Sequence, residues 1–540
     1  MDTSYQLLKE KIEAVLRNAI TAADLKKVSA PLGIYEQKNG LFMVRVRVAG
    51  GDIQASALLR LAEVCLNNDI NNIHLTTRQD IQLHDVQLKN IHQTVLHAVK
   101  NGFIFRGGGG DTFRNLLIDE YSDISPEAVF DVRPHALALN KFLLAYDNAF
   151  ALPRKLKIGF FSGVEKNNAA LFQDISFNAV KHENHKAFDV YAGGGLGRES
   201  RKGVKIFSAL PEREIFRCAA AGVELFNDHG NREKRNEARL RFVLNRLGEQ
   251  EFVRLFLQYF EKTDVDNVEK SFGIDGKTSD IPVFEEKTEK DAQYDKWLER
   301  SVCETGIKDI YALKIIVPGG NLQTRHLTSL SHLAEKYSNG IIRLLRSQDI
   351  LLPKAHRTAL PYIYEELRNG DLSVFLEAAF HSKIVSCVGA AVCKIGILDS
   401  AKYASALSHG LDMLFEDFPD ISTWDKQQIT DSIRISGCPN SCGGHTASAL
   451  GFEGLKRNIG EVSEPCFRVF TGGCQEGEKS RLAVAAENFY VPAKDLPAFV
   501  KELATAYLKR NNRTETFADY ISGIGTGNMD RFYKFKQDRT

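Results

Sequence analysis

Two stretches of this chain, 269 residues apart, repeat one another. Val44-Arg-Val-Arg-Val-Ala-Gly-Gly-Asp-Ile-Gln54 corresponds to Leu313-Lys-Ile-Ile-Val-Pro-Gly-Gly-Asn-Leu-Gln323, each an alternating strand that ends in a Gly-Gly turn. At the same offset Ile73 to Ile81 falls on Ile342 to Ile350, so that Gln79-Asp80-Ile81 lands on Gln348-Asp349-Ile350 without a gap. A second pair, Val190-Tyr-Ala-Gly-Gly-Gly195 and Val469-Phe-Thr-Gly-Gly-Cys474, agrees at an offset of 279. Periods this long exclude a solenoid and imply two fused homologous halves around a pseudo-two-fold axis. Such an axis makes a central cleft, the kind of place where ligand sites collect.

The secondary-structure pattern is α/β throughout. Helices are expected over Gln54–Leu66, Leu88–Lys100 and its counterpart His356–Asn369, Glu212–Asn227, Arg232–Arg246 and Phe252–Phe260, and a strand over Lys155–Phe161. Asp264–Asp291 is charged and aperiodic and reads as a linker. At 540 residues the chain needs several cores. Its net charge of +1 points to neither nucleic acid nor a membrane surface, so any function needing positive charge must gather it locally. Met1 to Ile20 reads as an amphipathic helix and not a signal peptide, and Ile384 to Leu398 is too short to span a bilayer. A cytoplasmic location, where thiols stay reduced, is expected.

Nine cysteines stand out against that background. Cys65, Cys218, Cys303, Cys466 and Cys474 are scattered and read as small core residues. Cys387 and Cys393 form C-x5-C, and Cys438 and Cys442 form C-x3-C, both in the second half alone. Paired spacing in a reducing compartment favours metal ligation. Four thiolates suit a [4Fe-4S] cluster; structural zinc is the competing reading, and buried thiols the third. Cys438-x3-Cys442-x2-His445 also approaches the radical-SAM pattern, which needs cysteine where His445 stands.

Cations gather in the first half. Arg78 sits in Thr-Thr-Arg-Gln-Asp80, where the second copy has Ser347. Arg114 follows the run Gly107–Gly110, Arg133 lies in Asp131-Val-Arg-Pro134, and Arg154, Lys155 and Lys157 lie in Leu-Pro-Arg-Lys-Leu-Lys157. On a strand Lys155 and Lys157 face one side, which either binds an anion or defends a solvated edge. Gly107–Gly110 and Gly193–Gly197 could cradle an anion or simply form tight turns. Arg232, Arg235 and Arg239 would share one face of the expected helix.

Together, the two cysteine pairs, Thr-Arg-Gln-Asp near 78, Leu-Pro-Arg-Lys-x-Lys near 155 and Gly-Gly-Gly-Leu-Gly at 193 resemble the siroheme-dependent sulfite/nitrite reductases, from about residue 33 to about 490. The resemblance implies an internally duplicated three-domain α/β (α+β) fold: a first ferredoxin-like repeat at 1–125, a siroheme-binding α/β domain at 126–300, a second ferredoxin-like repeat at 301–375 pairing with the first, and a second α/β domain at 376–540 carrying the cysteines. It implies siroheme and a [4Fe-4S] cluster held by Cys387, Cys393, Cys438 and Cys442, with Cys442 bridging cluster and siroheme iron. Arg78, Arg133, Lys155 and Lys157 match the family's substrate-binding bases, and Arg114, with Arg78, the siroheme-binding positions.

The implied reaction is reduction of a small oxyanion. Sulfite enzymes resemble this chain in having lysine at the position of Lys157, where nitrite enzymes tend to have asparagine. A second cation favours the more highly charged anion, so sulfite is expected ahead of nitrite. With no convincing flavin or nicotinamide motif, electrons are expected from a separate ferredoxin or flavoprotein. Gly443-Gly444-His445 and Lys166–Lys186 depart from the family's pattern. A non-catalytic iron–sulfur or zinc protein on the same scaffold is the alternative of another class.

Overall fold

Alternation decides the first sheet. In Phe42–Val46, Val44 and Val46 are fully buried while Arg45 between them is only half-buried. The computed structural model describes residues 3–164, 168–265, 280–287, 291–459, 461–510 and 515–533. The expected linker, and the start of the Lys166–Lys186 segment, lie in part outside the described residues. The first repeat contributes β1 (Ile34–Glu36), β2 (Phe42–Val46), β3 (Asp52–Gln54), β4 (Asn72–Leu75) and β5 (Ile81–Val86). After it come β6 (Leu117–Ile118), β7 (Ile158–Phe161), β8 (Ile175–His182), β9 (His185–Ala192) and β10 (Val204–Pro211). The second repeat contributes β11 (Val302–Glu304), β12 (Ile310–Ile315), β13 (Asn321–Gln323), β14 (Ile341–Leu344) and β15 (Ile350–His356). The last strands are β16 (Val385–Ser386), β17 (Ile433–Ser436), β18 (Leu450–Ile459), β19 (Val462–Thr471) and β20 (Val484–Pro492).

The two repeats exchange strands. Their sheets run β1-β2-β5-β4-β13 and β11-β12-β15-β14-β3, so each is completed by the short strand that follows the other's Gly-Gly turn. Those turns need glycine for two reasons. Gly50, Gly51, Gly319 and Gly320 all have positive φ. A Cβ on Gly51 would also lie 3.0 Å from the Gln79 Cβ, and one on Gly320 would lie 2.8 Å from the Gln348 Cβ. Gln79 and Gln348, at φ 60 and 63, occupy the matching turn of each copy. Helices Ala55–Leu66 and Thr324–Tyr337 pack on each other beneath this paired sheet.

The other two sheets are copies of one plan. In β10-β9-β8-β7-β6 the strands β6, β7 and β8 are parallel and the rest antiparallel; β16 to β20 repeat that order and those directions. The strand after each central hairpin leaves through a glycine of the same conformation, Gly193 (φ 79) and Gly472 (φ 80), into the bridges Gly195–Arg201 and Cys474–Arg481. Each sheet has its own apolar core, around Phe160, Phe177, Phe188 and Phe226 in the first and Phe452, Phe467 and Phe499 in the second. Two compact units result: one holds most of the chain up to Leu376, the other holds the β16–β20 sheet from Glu377 onward, together with residues 196–200.

Three expectations are corrected. Arg232–Arg246 is not one helix: a short 3-10 turn, Arg235–Glu237, precedes a helix that starts only at Leu240. Arg239 is the extended residue before that helix and is drawn inward to the buried Asp174, which breaks the helical path. The strand expected over Lys155–Phe161 is regular only from Ile158, because Leu156 makes an isolated bridge to Phe113. Cys303 and Cys474 are half-buried instead of core residues, unlike Cys65, Cys218 and Cys466.

Candidate functional site

In the second unit, both cysteine pairs leave the C-terminal ends of adjacent parallel strands. Cys387 follows β16 and Cys438 follows β17, with Ser386 paired to Ile435. Ligands in open α/β sheets collect at such strand ends, where loops diverge. The Cys387 N–H donates to the Ile435 carbonyl at 3.3 Å, and the Gly437 N–H donates to Cys387 Sγ at 3.3 Å. Ser400 Oγ donates to the Cys387 carbonyl at 2.9 Å and stands 3.1 Å from its sulfur.

The cysteine loops are tightly held. A Cβ on Gly437 would meet the Leu398 carbonyl at 2.4 Å, and one on Gly443 the Ile435 carbonyl at 2.2 Å. Ser441 and Gly444 both turn through positive φ, so the chain reverses around Cys442. None of the nine cysteines is joined in a disulfide. Burial, and then the neighbouring Cys442, push the Cys387 thiol up. Burial pushes the Cys438 thiol up to about 11; the Asn440 N–H opposes the rise, and Cys442, Cys387 and Cys393 add to it. Cys387 and Cys438 thus each feel the neighbouring cysteine sulfurs. Among the described residues no group of three or more His, Cys, Asp or Glu could hold a metal ion. A single tetrahedral zinc needs sulfurs within ~3.8 Å of each other, at ~2.3 Å from the metal. A four-iron cage spreads its thiolates more widely, one to each iron.

The first unit holds the cations. Arg78 lies in the turn between β4 and β5, where Thr76 Oγ1 accepts from the N–H groups of Arg78 (3.3 Å) and Asp80 (2.9 Å). Its guanidinium donates to Gln173 Oε1 at 3.0 Å and the Ile158 carbonyl at 2.8 Å, and its Nε is buried without a hydrogen-bond partner. Burial lowers its pKa to about 9, with Asp174 and Asp80 holding it up and Arg239 and Arg114 pressing it down. Burial likewise brings Arg47 and Arg114 to about 10. All three remain charged at neutral pH.

Residues 112–114 run parallel to 154–157: the Arg114 N–H donates to the Leu156 carbonyl and the Leu156 N–H to the Thr112 carbonyl. Phe113 and Leu156 pair and are fully buried. Side-chain alternation then turns Arg114, Lys155 and Lys157 to the opposite face. Arg133 opens the helix Arg133–Ala145 and is almost wholly buried. Its Nη2 donates to the Gly50 carbonyl at 2.9 Å and pairs with Asp52 at 2.5 Å. Arg154 pairs with Asp111 at 3.4 Å.

The Gly107–Gly110 run is not an open cradle. Gly109 packs against the Ala30 carbonyl and Tyr35, with room for no Cβ. Its carbonyls face cations instead: Arg114 donates to Gly109 and Gly110 at 2.7 Å each, and Arg45 to Gly108 at 2.8 Å. Gly195 leaves space for guanidinium groups, since a Cβ there would lie 3.1 Å from Arg239 Nη2 and 3.2 Å from Arg241 Nη1.

Several residues escaped the sequence reading. Asp174 is wholly buried, accepts the Lys157 N–H at 2.7 Å and clasps Arg239 through three contacts of 2.8–3.1 Å. Nothing in its pattern distinguishes it from a surface aspartate before a strand. Arg45 within β2 and Arg47 just beyond its end were visible as the polar members of an alternating run. Asn115 ties the Val48, Arg78 and Gln79 carbonyls together while its Oδ1 is buried without a partner. Clustered arginines with unsatisfied donors suit a ligand that carries several carboxylates, which is what siroheme offers.

Residues 109–264 and 377–534 match the nitrite and sulphite reductase 4Fe-4S domain, and 35–95 and 306–370 the nitrite/sulfite reductase ferredoxin-like half domain. The chain belongs to the nitrite and sulfite reductase family. It is an oxidoreductase of small oxyanions whose cofactors are siroheme and a [4Fe-4S] cluster. It is 25% identical over 489 residues to a ferredoxin–nitrite reductase of Synechococcus elongatus, covering 86% of each chain. It is 24% identical over 481 residues to sulfite reductase [ferredoxin] 2 of Mycolicibacterium paratuberculosis, covering 89% of this chain and 81% of the relative. The solved structure of Mycobacterium tuberculosis NirA shares its fold, with a TM-score of 0.77 at 21% identity over 97% of this chain and 95% of NirA. Among the described residues no helix is long and apolar enough to cross a membrane.

Proposed function

We propose that this reductase converts sulfite to sulfide with electrons from a separate ferredoxin-type protein. The observation that carries the reading is the lysine pair: Lys155 and Lys157 flank the buried Leu156, which bridges to Phe113, and backbone alternation assigns both lysines the same face as Arg114. Two ammonium groups on one face suit an anion with more than one negative charge. Relatives named for nitrite and for sulfite share 25–26% and 24% of their residues with this chain, so nitrite-to-ammonia is kept as the second reading. The names of these relatives favour ferredoxin as donor and give a flavoprotein donor no support.

Cys387, Cys393, Cys438 and Cys442 would hold the cluster. Arg78 and Arg114 would grip siroheme carboxylates. Siroheme and cluster, when bound, would relay the donor's electrons to the oxyanion, six per turnover. Arg78, Arg133, Lys155 and Lys157 bind the oxyanion, orient its oxygens and stabilise the charge that develops as bonds to oxygen weaken. The lysine ammonium groups are the movable protons: each oxygen leaves as water, and an arginine gives up its proton far less readily. Steady-state assays with reduced viologen dye, one with sulfite and one with nitrite, test the reading. A higher kcat/KM for sulfite is expected, and a clear preference for nitrite would replace it with the second reading.

A further inference from the structure

In the second unit, the loop between Cys387 and the helix Ser400–Glu416 breaks a local rule. The Gly396 N–H donates to the Cys393 carbonyl at 3.0 Å, which closes a tight turn with Lys394 and Ile395 at its two corners. Such corners usually carry glycine, proline, asparagine, aspartate or serine. Here one carries an isoleucine that is 68% exposed, and Ile397, just past the turn, is 38% exposed. Apolar side chains held out in water at a turn contribute nothing to the fold, and departures of this kind belong to functional places.

The turn is aimed outward by its own anchors. The Cys393 N–H donates to the Gly389 carbonyl at 2.9 Å, and the Ile397 and Leu398 N–H groups donate to the Gly437 carbonyl at 2.9 and 3.0 Å. A Cβ on Gly396 would meet the Ala390 Cα at 2.9 Å, so the base of the turn presses on the 3-10 turn Gly389–Ala391. Both ends are held and the corners stand clear. Cations rim them. Lys394 is the other corner and is exposed, and Lys402 is exposed in the first turn of the helix Ser400–Glu416. Lys456 is exposed on β18, two residues beyond Gly454. A Cβ on Gly454 would lie 3.0 Å from the Leu398 Cβ, so strand alternation puts Lys456 on the face toward this loop. The carboxylates of the same stretches are engaged: Asp399 accepts the Lys402 N–H at 3.2 Å, and Glu453 lies 3.4 Å from His445.

We infer that the Cys393–Ile397 turn is the landing surface for the electron donor, a small acidic iron–sulfur protein of the ferredoxin type. An apolar centre with a basic rim suits a transient electron-transfer contact. The rim attracts and orients an acidic partner, the centre is desolvated, and the small area lets the partner leave. Cys393, two residues before Ile395, is the cysteine that the turn would bring closest to the donor. Each docking passes one electron: the ferredoxin is oxidised, the cluster is reduced, and the donor departs before the next arrives. This rests on the ferredoxin reading made above and adds where the donor lands.

The test compares two electron sources on the purified holoenzyme. One is photochemically reduced ferredoxin, a [2Fe-2S] protein in one series and a [4Fe-4S] protein in another; the other is reduced viologen dye, which needs no docking surface. Ile395→Glu and Lys402→Glu/Lys456→Glu are measured beside the parent, with siroheme and iron content. Each variant is expected to raise the KM for ferredoxin by about tenfold or more, while dye-driven sulfite reduction and cofactor content stay unchanged. The lysine variant should also flatten the fall of ferredoxin-driven kcat/KM with added salt. An unchanged KM for ferredoxin overturns the inference and leaves the ferredoxin reading standing. With cofactors retained, a dye-driven rate that falls as far as the ferredoxin-driven rate also overturns it, because the turn then serves the reaction and not the donor. Should Ile395→Glu lose cofactor, the lysine variant, whose substitutions lie outside the turn, decides by the same criteria. A parent enzyme that takes electrons from dye but from neither ferredoxin removes the ferredoxin reading, and the inference with it.

Discussion

Asp174→Asn should destabilise the first unit by about 3–5 kcal/mol, the cost of leaving one member of a buried ion pair without its partner. The figure follows from the surroundings. The Asp174 side chain is wholly buried and that of Arg239 is 8% exposed, so water cannot replace the lost charge. Arg239 holds the carboxylate by Nε at 3.1 Å and by Nη2 at 2.9 and 2.8 Å, and an asparagine would turn an N–H toward at least one of these donors. The Lys157 N–H, now at 2.7 Å from a carboxylate oxygen, keeps at best a neutral acceptor. At ~2.1 cal/mol/K per residue, a unit of roughly 370 residues shifts by about 1.3 °C per kcal/mol, so Tm falls by roughly 4–7 °C. Thermal unfolding followed by circular dichroism gives the shift. Asp174→Asn/Arg239→Met, which removes both charges, should recover most of it, because a buried pair is worth little against an apolar replacement. A single variant within about 1 kcal/mol of the parent, or a double variant no better than the single, would refute the reasoning.

Three further outcomes are expected. Cys442→Ser should abolish sulfite reduction and lower the iron bound per chain; normal turnover would contradict its ligand role. Lys157→Asn should lower kcat/KM for sulfite relative to nitrite, by up to the ~4 kcal/mol that one unit charge is worth at ~4 Å in an effective dielectric of ~20, and an unchanged ratio removes the reason for preferring sulfite. Burial holds the His84 imidazole down at about 4, whereas in the unfolded chain it takes up its proton near 6.5. The unfolded state therefore binds more protons between those values. The contribution is whole above pH ~6.5 and is lost as pH falls toward ~4, by about 3 kcal/mol in all. His84→Gln should flatten that part of the stability profile, and an unaltered slope in urea titrations across the window would exclude His84 as its source.

The sequence by itself determined the duplication, the cysteine pairs and the family. Gly-Gly turns, strand alternation and C-x5-C with C-x3-C are local patterns, set by backbone sterics and ligand spacing that operate over a few residues. Which strand completes which sheet was not legible, because β3 and β13 are three-residue segments whose partners lie roughly 290 and roughly 250 positions away. The fate of the arginines was likewise decided only by the tertiary structure. Arg239 reads as one face of a helix and becomes the partner of a buried aspartate; Arg133 reads as a lone base and is pinned by Asp52 across from Arg343. The physical reason is that desolvation acts on a charge through whatever surrounds it in space. Asp174, Asp52 and Arg343 look like surface residues in the sequence, and only packing that brings them together in the dark interior makes each of them necessary to another.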